Sequence, residues 1–185
     1  MSTSKKLSFA LVAAIGLAGA ALAADTKNGL GSPVGLGKPI TENDVQPWNY
    51  TILPDGTNLP TGSGVADVGA KIYAEKCSAC HGEGGKGGSN PALITDQPLK
   101  GNGIEANKTI KNFWENPTTL FDYIKRAMPW PAPRTLTNDE VYALVAYILA
   151  GNNLVDKNAV MNAETLPKVQ MPNRGNFIIR FPDKI

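Results

Sequence analysis

Both cysteines and the single histidine of this 185-residue chain fall in one pentapeptide, Cys77-Ser78-Ala79-Cys80-His81. Two thiols three residues apart can each add to one of the two vinyl groups on a haem edge. The histidine directly after the second thiol then falls beneath the iron, where an imidazole nitrogen can ligate it. The spacing reads as covalent attachment of one haem c through Cys77 and Cys80, with His81 on the metal. Competing chemistries fit less well. A structural zinc site wants four Cys or His ligands, and the chain has three such residues in total. A thioredoxin-like redox pair needs a strand before the motif and a helix after it. Here a helical pattern precedes, and a glycine-rich loop, Gly82 to Gly88, follows. A disulfide across so small a loop would stabilise little.

With no second histidine, bis-histidine ligation within the chain is excluded. The remaining protein candidates for the other axial position are the thioethers of Met128, Met161 and Met171, with water or an open site as the alternative. Met128 is best placed. It ends a predicted helix and begins Met128-Pro129-Trp130-Pro131-Ala132-Pro133, a stretch with few backbone donors and little torsional freedom. A His/Met pair raises the reduction potential and leaves no vacancy for a substrate, which suits an electron carrier. An open iron would suit a haem enzyme or ligand sensor. Around the motif, Lys86, Lys100 and Lys108 could form a basic rim that guides an acidic partner or be scattered solvated lysines. Arg126 or Arg134 could pair with a haem propionate, and Trp130 is expected to pack beside the haem.

The elements that position these residues are legible from periodicity and caps. Val65, Val68 and Ile72 recur on one face of a helix running into the pentapeptide. Gly69 and Tyr73 lie on an adjoining face, where a glycine lets another helix approach closely. Asn116 as N-cap with Pro117 at the first helical position opens a second helix, carrying Leu120, Phe121 and Ile124 and ending near Ala127. Thr137-Asn138-Asp139-Glu140 is a capping box ahead of Val141, Leu144, Val145 and Ile148, with Gly151 as the expected stop. A shorter helix is expected within 108–115, with Ile110, Phe113 and Trp114 inward.

Outside this zone the chain turns irregular. Residues 25–60 carry Pro33, Pro39, Pro47, Pro54 and Pro60 and no sustained helical period. Trp48, Tyr50, Ile52 and Leu53 are nevertheless too apolar for a free linker. The tail after Asn152 returns to Pro-punctuated chain and ends in Phe177-Ile178-Ile179-Arg180-Phe181, read as a short strand or packed extended chain. Both flanks are expected either to dock on a partner, where aromatic anchors tend to dominate binding, or to cover the helical core.

Lys5 and Lys6 followed by the apolar, small-residue run Leu7 to Leu22 and Ala23-Ala24 read as an export signal. Cleavage after Ala23 or Ala24 would place the mature chain in the periplasm, beginning near Asp25. A retained anchor is the alternative, but the run is short and rich in Ala and Gly. Loss of residues 1–24 removes two lysines and no acid, leaving 16 basic and 16 acidic side chains and no formal net charge. Nothing suggests a nucleic-acid partner, which would want a clustered basic face. No other long apolar run occurs, so no membrane span is expected in the mature chain.

Taken in order, the helix bearing Gly69 and Tyr73, the Cys77 to His81 motif, Met128, and the helix from Val141 to Leu149 resemble a class I cytochrome c. That resemblance implies an all-α fold wrapped around one covalently bound haem. It divides the chain into a signal peptide (1–24), an irregular N-terminal extension (25–60), a cytochrome c domain (61–152) and a C-terminal extension (153–185). Thr119 to Ile124, Arg126 to Pro129 and Leu136 to Leu144, with the flanking Pro54 to Pro60 and Leu166 to Arg174, are similar to the cytochrome subunits of Sox-type sulfur (sulfite) dehydrogenases. This narrower resemblance implies a molybdenum-cofactor dehydrogenase subunit as electron donor and a downstream acceptor such as another cytochrome c. The chain would then be an electron-transfer subunit rather than a catalyst by itself. Service to a different periplasmic dehydrogenase or oxidase is the alternative.

Overall fold

The computed structural model describes residues 37–101, 103 and 106–178. The expected export signal and the end of the tail, Ile179 to Phe181 included, lie outside the described residues. The chain divides after Val45 into two units. In the first, helix α1 (Glu42–Val45) is opened by Thr41. The Thr41 backbone N–H and hydroxyl both donate to the Asp44 carboxylate, at 2.7 and 2.8 Å.

Among the described residues the second unit carries five further α-helices: α2 (Ala66–Lys76), α3 (Ser78–His81), α4 (Ile110–Phe113), α5 (Pro117–Ala127) and α6 (Asn138–Gly151). The local signals account for most of their ends. Asn116 is the N-cap of α5, with Pro117 following. Thr137 and Glu140 form the expected reciprocal capping box on α6, a device worth about 1 kcal/mol. Thr109 and Asn112 form a second box that starts α4, so the short expected helix is confined to one turn.

The core centres on α6, which packs against α2, α5 and two short strands. Enclosed on several sides, it buries Val141 through Ala146, then Ile148 and Leu149, and so is apolar almost all round. Phe121 of α5 stacks on Tyr142 of α6 with ring centroids 4.4 Å apart.

Two expectations are corrected here. The buried face of α2 is Ala66, Gly69 and Tyr73, which includes the expected close-approach pair. Of the expected apolar row only Ile72 packs against the core, while Val65 is the N-cap and Val68 is exposed. The smallest residue sets this face. A β-carbon on Gly69 would strike the Ala143 carbonyl, so glycine is what lets the α6 backbone come close. Gly151 is likewise not the left-handed stop of α6. It is the last helical residue, Asn152 is the C-cap, and Asn153 takes the left-handed turn at φ 58°. Gly151 instead makes room for Ile94, whose side chain a β-carbon there would meet.

The flanks fold onto the helices. Strand β1 (Ser63–Gly64) pairs antiparallel with β2 (Met161–Asn162), joining the approach to α2 with the tail. The Tyr142 hydroxyl donates to the Pro60 carbonyl at 2.8 Å, and the Ser63 N–H donates to Asp139 at 2.7 Å. Met161, Leu166, Val169 and Met171 are buried in the core, with Ile52 and Leu59 packed against it. These side chains are core cover. Trp48, Tyr50, Leu53, Phe177 and Ile178 are exposed.

Candidate haem-attachment site

The pentapeptide is one helical turn set off from the helix before it. Cys77 closes α2 and opens α3 with φ −126° and ψ −33°, breaking the helix between them. Its carbonyl accepts from the N–H of Cys80 at 3.2 Å and of His81 at 3.0 Å. Positions i, i+3 and i+4 of a helical turn share one face, so both thiols and the imidazole emerge on the same side. Neither cysteine is in a disulfide; Cys77 is half-buried and Cys80 exposed. Burial pushes the Cys77 thiol up to about 11, with Lys76 opposing and Cys80 adding to the shift.

The glycine-rich loop turns the chain sharply after His81. Gly82 has φ 77°, and a β-carbon there would collide with the Gly87 backbone. The loop is pinned by Gly87 N–H to His81 carbonyl at 2.8 Å and Asn90 N–H to Cys80 carbonyl at 2.9 Å. Tyr73 reaches over from α2 and donates its hydroxyl to the Gly82 carbonyl at 2.9 Å. Burial, reinforced by Cys77 and Tyr147, raises that phenol to about 12.

The returning loop brings the Pro91 carbonyl to 3.0 Å from His81 Nδ1. A carbonyl only accepts, so Nδ1 carries the proton and the Nε2 lone pair is left for a metal. This bond is the observation by which the residues fit a haem. It fixes the tautomer a ligating imidazole needs, on the face that also bears two unpaired thiols. Sequence reasoning did not find Pro91, because its contribution is a backbone carbonyl, which every residue has.

Met128 is the C-cap of α5 in extended conformation, half-buried and packed against the core. Met161 lies in β2, and both it and Met171 are buried in the core. Lys86, Lys100 and Lys108 are all exposed, and Lys108 sits over the Phe113 ring at 5.0 Å. Arg126 pairs with Asp122 at 2.7 Å, donates to the Tyr50 carbonyl at 3.0 Å and lies over the Tyr50 ring. With Lys125 and Arg134 it lines a cleft of about 440 Å³. Trp130 is 82% exposed and fills no part of the protein core. Among the described residues no cluster of His, Cys, Asp or Glu could hold a bare metal ion. No described helix is long and apolar enough to cross a membrane.

Residues 66–152 match the family model of cytochrome c. A solved structure, the sulfane dehydrogenase SoxCD from Paracoccus pantotrophus, contains a chain with which this one shares 33% identity and a TM-score of 0.69. The match covers 82% of this chain and 73% of that one. The chain belongs to the class I cytochrome c family. Comparison with curated proteins found no match. Membership carries a covalently bound haem c and electron transfer, on an all-α fold. The likeness to the SoxCD chain spans more of the cytochrome than residues 66–152 can supply, so it runs into the flanking segments.

Proposed function

We propose that this cytochrome is the monohaem electron-transfer subunit of a periplasmic molybdenum-cofactor dehydrogenase acting on a sulfur compound, exported by residues 1–24. The observation that carries this reading is the match to the SoxCD chain, which extends beyond the haem domain. A general carrier would need to resemble that chain only in the domain itself. In this reading Cys77 and Cys80 anchor one haem by thioether bonds. His81 would offer Nε2 to the iron while Pro91 holds its Nδ1–H, and Met128 would offer its thioether sulfur as the second donor. When bound, the haem supplies a site that gains and loses one electron. The protein's part would be to supply both donors from its own side chains, which favours electron transfer over substrate binding. A downstream acceptor, such as another cytochrome c, would take the electron on.

The test is purification of the tagged cytochrome from its native host with whatever dehydrogenase accompanies it. Sulfite, thiosulfate or a sulfane donor should then reduce its haem in the complex. Co-purification of a different dehydrogenase, whose own substrate reduces the haem while sulfur compounds do not, would assign the cytochrome to that enzyme.

A further inference from the structure

Asn152, the residue that ends α6, is 1% exposed, and its amide is engaged at both ends. Nδ2 donates to the Ile148 carbonyl at 2.9 Å and to the Leu93 carbonyl at 2.8 Å, and Oδ1 accepts from the Thr95 N–H at 3.1 Å. The bond to Ile148 is local to the helix end. The other two reach a segment more than fifty residues away in sequence and grip it on either side of Ile94.

That segment holds the iron-side loop in place. Pro91, two residues before Leu93, supplies the carbonyl that takes His81 Nδ1–H. The Gly85 carbonyl accepts from both Leu93 and Ile94, at 2.9 and 3.0 Å. Ile94 itself is 5% exposed, and a β-carbon on either Gly85 or Gly151 would press into its side chain. The segment is therefore held by backbone bonds from the glycine loop, by a plugged side chain, and by one buried amide from the end of α6.

We propose that Asn152 is a positioning residue for the axial histidine. By clamping residues 93–95 it sets where the Pro91 carbonyl stands, and through that bond it sets the orientation and donor strength of His81. The inference rests on His81 being the iron ligand. A carbonyl that accepts from the remote ring N–H makes the imidazole a stronger donor, and a stronger donor favours ferric iron. Loosening the clamp should weaken that bond and raise the reduction potential. A residue that merely caps α6 would contribute stability and leave the histidine alone.

The test compares four forms of the full holoprotein: wild type, Asn152→Leu, Asn152→Ala, and Val145→Ala as a control that opens the α6 core without removing any hydrogen bond to residues 93–95. Each is read by potentiometric titration and by NMR exchange of the His81 Nδ1 proton. Both Asn152 variants should exchange that proton on the order of five- to tenfold faster, the loss expected when a hydrogen bond is weakened, and titrate at a higher potential. Val145→Ala should lose stability while keeping wild-type exchange and potential. Asn152 variants that lose stability but keep both wild-type values would overturn the proposal. Should both Asn152 variants fail to fold, Ile94→Val loosens the same segment more gently and must show the same two shifts, or the proposal falls. A wild-type protein without covalent haem, or with an iron not ligated by His81, would instead refute the ligand assignment beneath it.

Discussion

In the proposed site two thiols would anchor the haem and one nitrogen and one sulfur would ligate its iron, so each of Cys77, Cys80, His81 and Met128 would have a separable signature. Cys77→Ser or Cys80→Ser should sharply reduce covalently retained haem, measured by mass and by haem stain after denaturation; full retention in both would refute the attachment site. Met128→His should keep the covalent haem and lower the reduction potential, because an imidazole favours ferric iron more than a thioether does. Met161→Leu and Met171→Leu should leave the spectrum unchanged and alter only stability, since both side chains are buried among apolar neighbours. Loss of the ferric band characteristic of sulfur ligation in either tail variant, with Met128→Ala unaffected, would move the ligand to the tail.

Among the elements, the crossing of α2 and α6 depends most on a single atom. Gly69→Ala puts a methyl into the Ala143 carbonyl, and overpacking of this kind costs about 1–3 kcal/mol. Denaturant unfolding of the holoprotein should show that loss; a wild-type midpoint would mean the helices can part cheaply. The same crossing is bridged at its rim by Lys76 and Glu140 at 2.6 Å, both partly exposed. The Lys76 hydrogen bond, followed by the Thr137 backbone N–H, holds the Glu140 carboxyl below its ordinary 4.5. A carboxyl depressed in the folded state adds stability above its unfolded value and loses it as pH falls through the folded one. Stability should therefore decline below pH 4.5 in part through Glu140, and Glu140→Gln should flatten that decline. With both side chains partly solvated, the pair is worth less than about 1 kcal/mol. An unchanged acid profile in the variant would remove Glu140 from the account.

At the scale of the whole molecule, the C-terminal flank contributes to stability. Met161, Leu166, Val169 and Met171 are each nearly or fully buried, and full burial of such side chains contributes about 1.5–3 kcal/mol apiece. The Asn162 side chain accepts from the N–H groups of Glu164 and Thr165 at 2.8 and 2.9 Å, turning the tail back toward the core. Gly56, at φ 93°, packs where a β-carbon would strike the Pro167 ring, so the two flanks also meet each other. Truncation after Asn158 should lower the thermal midpoint by well over 10 °C, given several lost kilocalories and the ~2–8 °C shift per kcal/mol of domains this size. A truncated holoprotein melting with the full chain would show the tail to be dispensable for folding.

Local chemistry was readable along the chain because its causes are local. The Cys77 to His81 spacing specifies attachment within one helical turn, and the Thr137 and Glu140 side chains satisfy N–H groups only three residues away. Asn116-Pro117 likewise starts α5 from two adjacent residues. Tertiary structure decided what depends on distant partners. Gly69 and Tyr73 were legible as a close-approach face, and it is the one α6 buries. That it prevails over the apolar periodicity at Val65, Val68 and Ile72 is decided only by the packing. Gly151 looked like a helix stop but serves as clearance for Ile94, fifty-seven positions earlier. The Pro91 carbonyl and the Asn152 amide reach the histidine's surroundings only because the loop after the motif folds back against the end of α6. Hydrogen bonds between segments so far apart leave no periodicity and no spacing to read, and they exist only once the chain has packed.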